Sequence, residues 1–200
     1  VDGQGHPHAG VPGATGLDGS LEATEAGGTA TVRASRALLD LPGVFEVPRI
    51  ALDQFSAALR WSTAPQWSVR LESLNVANAD FEVNASGSWV AAPDGPGTID
   101  FSAKVPRLSV RATPRYLPLA VGATTRAWLA GALREGKATE GAVRVRGDLR
   151  AFPFAQPGSG EFRASVRVRD GDLAIEPAPE GAGRPPWPPL EDIDADVVFE

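Results

Sequence analysis

The sequence predicts a mainly β protein whose sheet has one oily and one wet side, with a short helical insert around residues 110–134. Period-two alternation of apolar and polar residues recurs in about ten segments, and only one stretch has helical spacing. The clearest case is Glu161–Arg169, where Phe162, Ala164, Val166 and Val168 point one way and Glu161, Arg163, Ser165, Arg167 and Arg169 the other. An oily face needs a cover, and one helix cannot cover so wide a sheet. Either the sheet closes on itself or something other than protein fills it.

The elements follow in order. Residues 1–15, rich in Gly, Pro and His, have no periodicity and read as a loose leader; residues 16–200 read as one β-domain. Leu17–Glu25 and Thr29–Ser35 flank Ala26-Gly27-Gly28, which reads as a hairpin turn. Leu41-Pro42-Gly43 is a turn and Pro48 opens the next run, in which Phe55, Ala57, Leu59 and Trp61 alternate with polar or small residues. Trp67, Val69 and Leu71 form the apolar side of Gln66–Leu74, and Phe81, Val83 and Ala85 continue the pattern. Asp94-Gly95-Pro96-Gly97 turns the chain before Ile99, Phe101, Ala103 and Val105.

Pro114 and Pro118 then break the alternation, and Gly122–Arg134 is the best helix. Thr124 or Thr125 is placed to cap its start, Trp128, Leu129 and Leu133 share a face, and Gly136 stands where a left-handed residue ends a helix. Strands resume with Val143 and Val145, then Phe162–Val168, and end with Ile193–Phe199. The prolines of Arg184–Pro189 read as a rigid extended crossing. Gly19-Ser20-Leu21, Gly87-Ser88-Trp89 and Gly147-Asp148-Leu149 form a faint internal echo, in which glycine is expected to mark a bulge or bend.

Composition narrows the function. With no cysteine, disulfides, thiolate catalysis and cysteine metal sites are excluded. The absence of methionine, and a C-terminal end inside an alternating run, read as a piece of a longer protein. No apolar run approaches the length of a membrane span. The net charge of −6 divides into +7 between Lys104 and Arg150 and −13 elsewhere, and the basic part spans the helix and its flanks. An acidic chain without aromatic-interleaved basic motifs is not expected to bind nucleic acid.

Catalytic chemistry is not evident. His6 and His8 are the two histidines and lie in the loose leader without metal-ligand partners. Asp192, Asp194 and Asp196 share a strand face and lack the turn that a calcium loop needs. No nucleophile elbow, phosphate loop or dinucleotide fingerprint occurs, so neither enzyme activity nor a cofactor or metal is expected.

Arg115-Tyr116-Leu117-Pro118, Thr125–Leu133 and Gly136 together resemble the central signature of the YhdP family, AsmA-like proteins of the bacterial periplasm. The resemblance continues through Val143–Leu149, Phe152-Pro153-Phe154, Gly160-Glu161-Phe162, Trp187-Pro188-Pro189-Leu190 and Ile193–Asp196. Upstream, Gly16–Ala23 with Gly27-Gly28 and Leu39–Phe45 also fit, so it runs from about Val11 to the end.

That resemblance implies a long curved antiparallel sheet forming an apolar groove, along which phospholipids pass between inner and outer membrane. It also implies an inner-membrane anchor lying outside this segment, periplasmic localisation and a part in the outer-membrane permeability barrier. It supplies no catalytic residues. The groove lining is then expected to be Phe55, Leu59, Trp61, Val69, Leu71, Phe81, Val83, Ile99, Phe101, Val105, Val143, Val145, Phe162, Val166, Val168, Val197 and Phe199. The helix would flank or plug the trough, with its basic neighbours near head groups. Phospholipid is the expected partner; the sequence names no protein partner. The alternative is a structural or adhesive β-sandwich in which these residues form a closed core without lipid.

Overall fold

The computed structural model describes residues 12–175 and 187–200. The described chain forms strands β1 (Gly13–Thr15), β2 (Asp18–Thr24), β3 (Gly27–Ala34), β4 (Ala37–Asp40), β5 (Arg49–Leu52), β6 (Gln54–Ser62), β7 (Ser68–Ala77), β8 (Phe81–Ala92) and β9 (Gly95–Ser109). A 3₁₀ turn at Thr113–Tyr116 and helix α1 (Ala123–Ala132) follow, and then β10 (Leu133–Asp148), β11 (Gly160–Leu173) and β12 (Leu190–Phe199).

Nine strands make one antiparallel sheet in the order β12-β11-β10-β9-β8-β7-β6-β3-β2. β2 and β12 are its two edges, so the sheet is not closed into a barrel. Neighbours in sequence are neighbours in space except at β3–β6, where the chain leaves to build a small sheet, β1-β4-β5. The structure is therefore the long, curved, mainly β sheet with a short helical insert. Register shifts near the insert, at Glu82/Asn84, Thr139/Ala142 and Val168/Gly171, supply the local bends that curve such a sheet.

No second β-layer covers the apolar face among the described residues. Among the described residues the buried apolar side chains are mostly alanines, with Leu52, Val110 and Phe154 the large ones, and no large side chain is fully enclosed. A closed sandwich of this size would bury a contiguous set of large side chains. The sandwich alternative fails on that point.

Several local expectations need correction. Thr24 pairs with Gly27, so the first hairpin turns on Glu25-Ala26, one residue early; Ala92 pairs with Gly95, so the β8–β9 hairpin turns on Pro93-Asp94 and Gly95–Gly97 are already strand. The N-cap of α1 is Gly122 with no side-chain cap; Thr124 and Thr125 lie within its first turn. The helix stops at Ala132 because Leu133 is already extended, and Gly136 (φ 128°) lies inside β10 instead of ending the helix.

β10 thus begins ten residues before the Val143 of the sequence reading. Gly13–Thr15, assigned to the loose N-terminal segment, pair with β4; residues 1–11, with His6 and His8, lie outside the described residues. So does Arg184–Pro186 of the proline crossing. Of the echoing glycines only Gly87 adjoins a bulge, the register shift between Leu71 and Leu74 opposite it; the pairings of Gly19 and Gly147 are regular. A Cβ at Gly87 would lie 3.2 Å from Phe101 Cδ2, and one at Gly147 (φ 140°) 2.9 Å from Phe154 Cε1, so aromatic rings lie over both.

Candidate functional site

Residues directly opposite on neighbouring strands share a face, so the register identifies the side chains that line the sheet. One row crosses eight strands as Leu21, Ala30, Leu59, Leu71, Gly87, Phe101, Val145 and Phe162. A second, displaced along the strands, reads Gly19, Val32, Ala57, Leu74, Ala85, Ala103, Val143, Ala164 and Phe199. A third reads Ala23, Gly28, Trp61, Val69, Trp89, Ile99, Gly147 and Gly160. Every member of these rows is apolar or glycine.

Bulges interrupt the remaining rows without changing their character. Ala34, Phe55, Val76 and Val83 continue on one side, while Val105 with Gly141 and Val166 with Val197 lie on the other. The end row is Phe81, Leu108, Ala138, Val168 and Ala195. All seventeen residues of the expected lining fall on this face. None of them is buried, and Phe199 is 63% exposed.

The face has relief. Ala57, Ala85 and Ala103 lie in the second row and are among its most enclosed members, because larger neighbours stand in the rows beside them. Phe101 and Phe162 rise on one side, Val83 and Val105 on the other. The profile is a shallow trough with a floor of small residues.

At β9–β12 the helical insert forms a roof. Leu117, Leu129 and Leu133 face Leu108, Val143, Val166, Val168, Val197 and Phe199 across a cavity of about 380 Å³ with an almost wholly apolar lining. Trp128 Nε1 donates to the Ile175 carbonyl at 3.2 Å, tying α1 to the chain just beyond β11. On the opposite side of the connection, Leu119 N donates to the Val44 carbonyl at 2.8 Å, joining the insert to the small sheet.

The other face of the sheet is wet and ion-paired. Arg144 donates to Asp100 and lies 3.7 Å from Glu161; Arg167 reaches both Glu140 and Asp196. Arg169 pairs with Asp194 at 3.1 Å, so Asp194 and Asp196 of β12 face arginines of β11. The Arg144 hydrogen bond holds the Asp100 carboxyl below the usual carboxylate range, and Arg150 does the same to Asp148. Much of the basic stretch is spent this way: Arg107 donates to the carbonyls of Asn78, Ala79 and Phe81, and Arg111 pairs with Glu135.

The lining has members that periodicity missed. Trp89 was within reach, since it continues the parity of Phe81, Val83 and Ala85. Leu74, Val76 and Leu108 were not, because each follows an irregularity that changes parity along its strand.

A family model described as YhdP protein matches residues 2–200. No curated protein and no solved structure matches the chain.

Proposed function

The chain belongs to the YhdP family, and from that premise we infer that it is a stretch of a lipid-transfer conduit whose apolar trough carries phospholipid acyl chains. It works in the periplasm between inner and outer membrane, as part of a longer protein held at the inner membrane, and supports the outer-membrane permeability barrier. It is not an enzyme and takes no cofactor. The supporting observation is the set of apolar rows in register across the whole sheet, left partly exposed. Contiguous apolar surface on this scale marks an interaction site.

Acyl chains fit that surface for a physical reason. Each methylene withdrawn from water is worth about 0.8 kcal/mol wherever it lies along the trough. Uniform contact with Val, Leu, Ile and Phe gives a chain little reason to stop at any one position.

Photo-crosslinking amino acids at Phe101 and Val166 test the reading in the full-length protein. Adducts with phospholipid at both positions are expected. Failure to form any lipid adduct at either position, in a folded protein exposed to phospholipid, would overturn it.

A further inference from the structure

We propose that the polar pocket between Arg49 and Arg115 is a subsite for a zwitterionic headgroup joining a phosphate to an ammonium, as in phosphoethanolamine; it rests on the lipid-groove reading. The pocket, about 600 Å³, is lined by Val47, by Arg49, Ile50 and Ala51 of β5, by Asp53, by the Asn78–Asp80 turn, and by Arg115 and Tyr116 of the 3₁₀ turn.

Its charges come in two kinds. The Arg49 and Arg115 side chains are each 70% exposed, and each is tied to a carboxylate by a single long contact, 3.3 Å to Asp40 and 3.4 Å to Asp80. Most of their guanidinium donors remain free to take phosphate oxygens. Asp53 has no ion pair or side-chain hydrogen bond among the described residues, and Asp80, bonded through Oδ2 to Arg115 and Tyr116, lines the same pocket. Counting Asp40, the partner of Arg49, two guanidinium groups stand with three carboxylates, a setting that does not favour a purely anionic group. A headgroup carrying only negative charge gains from the arginines and is opposed by the carboxylates; one with phosphate and ammonium satisfies both.

The wall is already ordered. Tyr116 donates to Asp80 Oδ2 at 2.7 Å, and Asn78 Nδ2 donates to the Tyr116 hydroxyl at 3.2 Å and to the Ala51 carbonyl at 3.0 Å. Asn78 Oδ1 accepts from the backbone of Asp80 and Phe81. This network fixes the turn before any ligand arrives.

The pocket also lies where a headgroup would emerge. Tyr116 packs edge-on against Phe81, with ring centroids 4.7 Å apart, and Phe81 belongs to the end row of the trough. The 3₁₀ turn has two sides: Arg115 and Tyr116 line the polar pocket, whereas Thr113 and the following Leu117 line the apolar cavity. A molecule with a polar head and an apolar tail matches these two neighbouring environments.

The test uses the full-length protein with vesicles of phosphatidylethanolamine and phosphatidylglycerol in equal parts, followed by mass spectrometry of the bound lipid. A parallel NMR titration uses O-phosphoethanolamine, sn-glycerol 3-phosphate and inorganic phosphate. The wild type should enrich phosphatidylethanolamine. Arg49→Gln and Asp53→Asn should each lower that enrichment about threefold, as expected for exposed ion pairs, with total bound lipid and circular dichroism unchanged. An unaltered lipid ratio in both variants, with lipid still bound, overturns the subsite and leaves the groove reading standing. Binding of O-phosphoethanolamine that both variants weaken, in a protein that holds no lipid, supports the subsite and sinks the groove. Inorganic phosphate binding as well as O-phosphoethanolamine would make it a plain phosphate site and overturn the proposal.

Discussion

Phe101 and Gly87 face each other across the β8–β9 pair, and a Cβ added to Gly87 would lie 2.9 Å from Phe101 Cα and 3.2 Å from its Cδ2. The ring therefore lies against the neighbouring strand in the space a side chain would occupy, and the first row of the trough dips at β8. The nearest atom to that added Cβ is the Asp100 carbonyl oxygen, at 2.6 Å, which is backbone and cannot turn aside. Gly87→Val is expected to cost about 1–3 kcal/mol, the usual range for overpacking. Urea unfolding with an unchanged slope and a lower midpoint would show it; an unchanged midpoint would mean the strands separate there without penalty.

The open face predicts an unusual response to a charge in the middle of the sheet. Phe101 is only partly covered, so Phe101→Asp should reduce stability by about 1–2 kcal/mol, well under the 3–5 kcal/mol that emptying a sealed aromatic site costs. Phospholipid recovered with the protein should fall sharply. Global loss of the β circular dichroism signal in this variant would instead place Phe101 in a closed core.

Period two revealed the trough because alternation and register describe the same face, and Phe55, Val69, Ile99 and Phe162 needed no further information to be placed there. It failed where an extra residue enters a strand. In β7 the pairing moves from Leu71 to Leu74 while β8 moves only from Gly87 to Ala85, so Leu74 and Val76 change parity relative to Leu71 and still face the trough. β9 does the same between Val105 and Leu108.

The first half of β10 was illegible for a related reason. Irregularities at Leu133/Glu135 and Glu135/Lys137, with Gly136 at positive φ, leave no run long enough to count. β4 and β5, at four residues each, are likewise too short to alternate convincingly. The polar pocket could not be read at all, since Arg49, Asp53, Asn78 and Arg115 meet only in three dimensions.

The wet face gives the protein an acid sensitivity. Hydrogen bonds from Arg144 and Arg150 lower the folded-state pKa values of Asp100 and Asp148. Both carboxyls hold protons less readily folded than unfolded, so their contribution is fully present above the unfolded value of about 3.9. It is lost as pH falls through the lower folded values. The urea midpoint should stay level from neutral pH down to about 5 and drop below about 4. Arg144→Gln should shrink the drop; an identical profile in that variant would remove this pair as a cause.

Val143 gives the sharpest test of the roofed section. It stands on the trough floor between Ala103 and Ala164, and it lines the cavity beneath Leu117 and Leu129. In a packed core, Val143→Trp would force neighbours aside and destabilise by about 1–3 kcal/mol. Here the indole has an empty cavity to enter, and the added apolar contact with Leu129 and Val166 should leave the unfolding midpoint unchanged or slightly raised. The same indole occupies the space an acyl chain would need. Crosslinking of lipid from Val166 should therefore fall by about tenfold, equivalent to about 1.4 kcal/mol of lost occupancy, while crosslinking from Phe55, outside the roof, persists. Equal loss at both positions would mean that lipid passes α1 before reaching the rest of the trough. No loss at Val166 would show that the space under α1 is not part of the lipid's path.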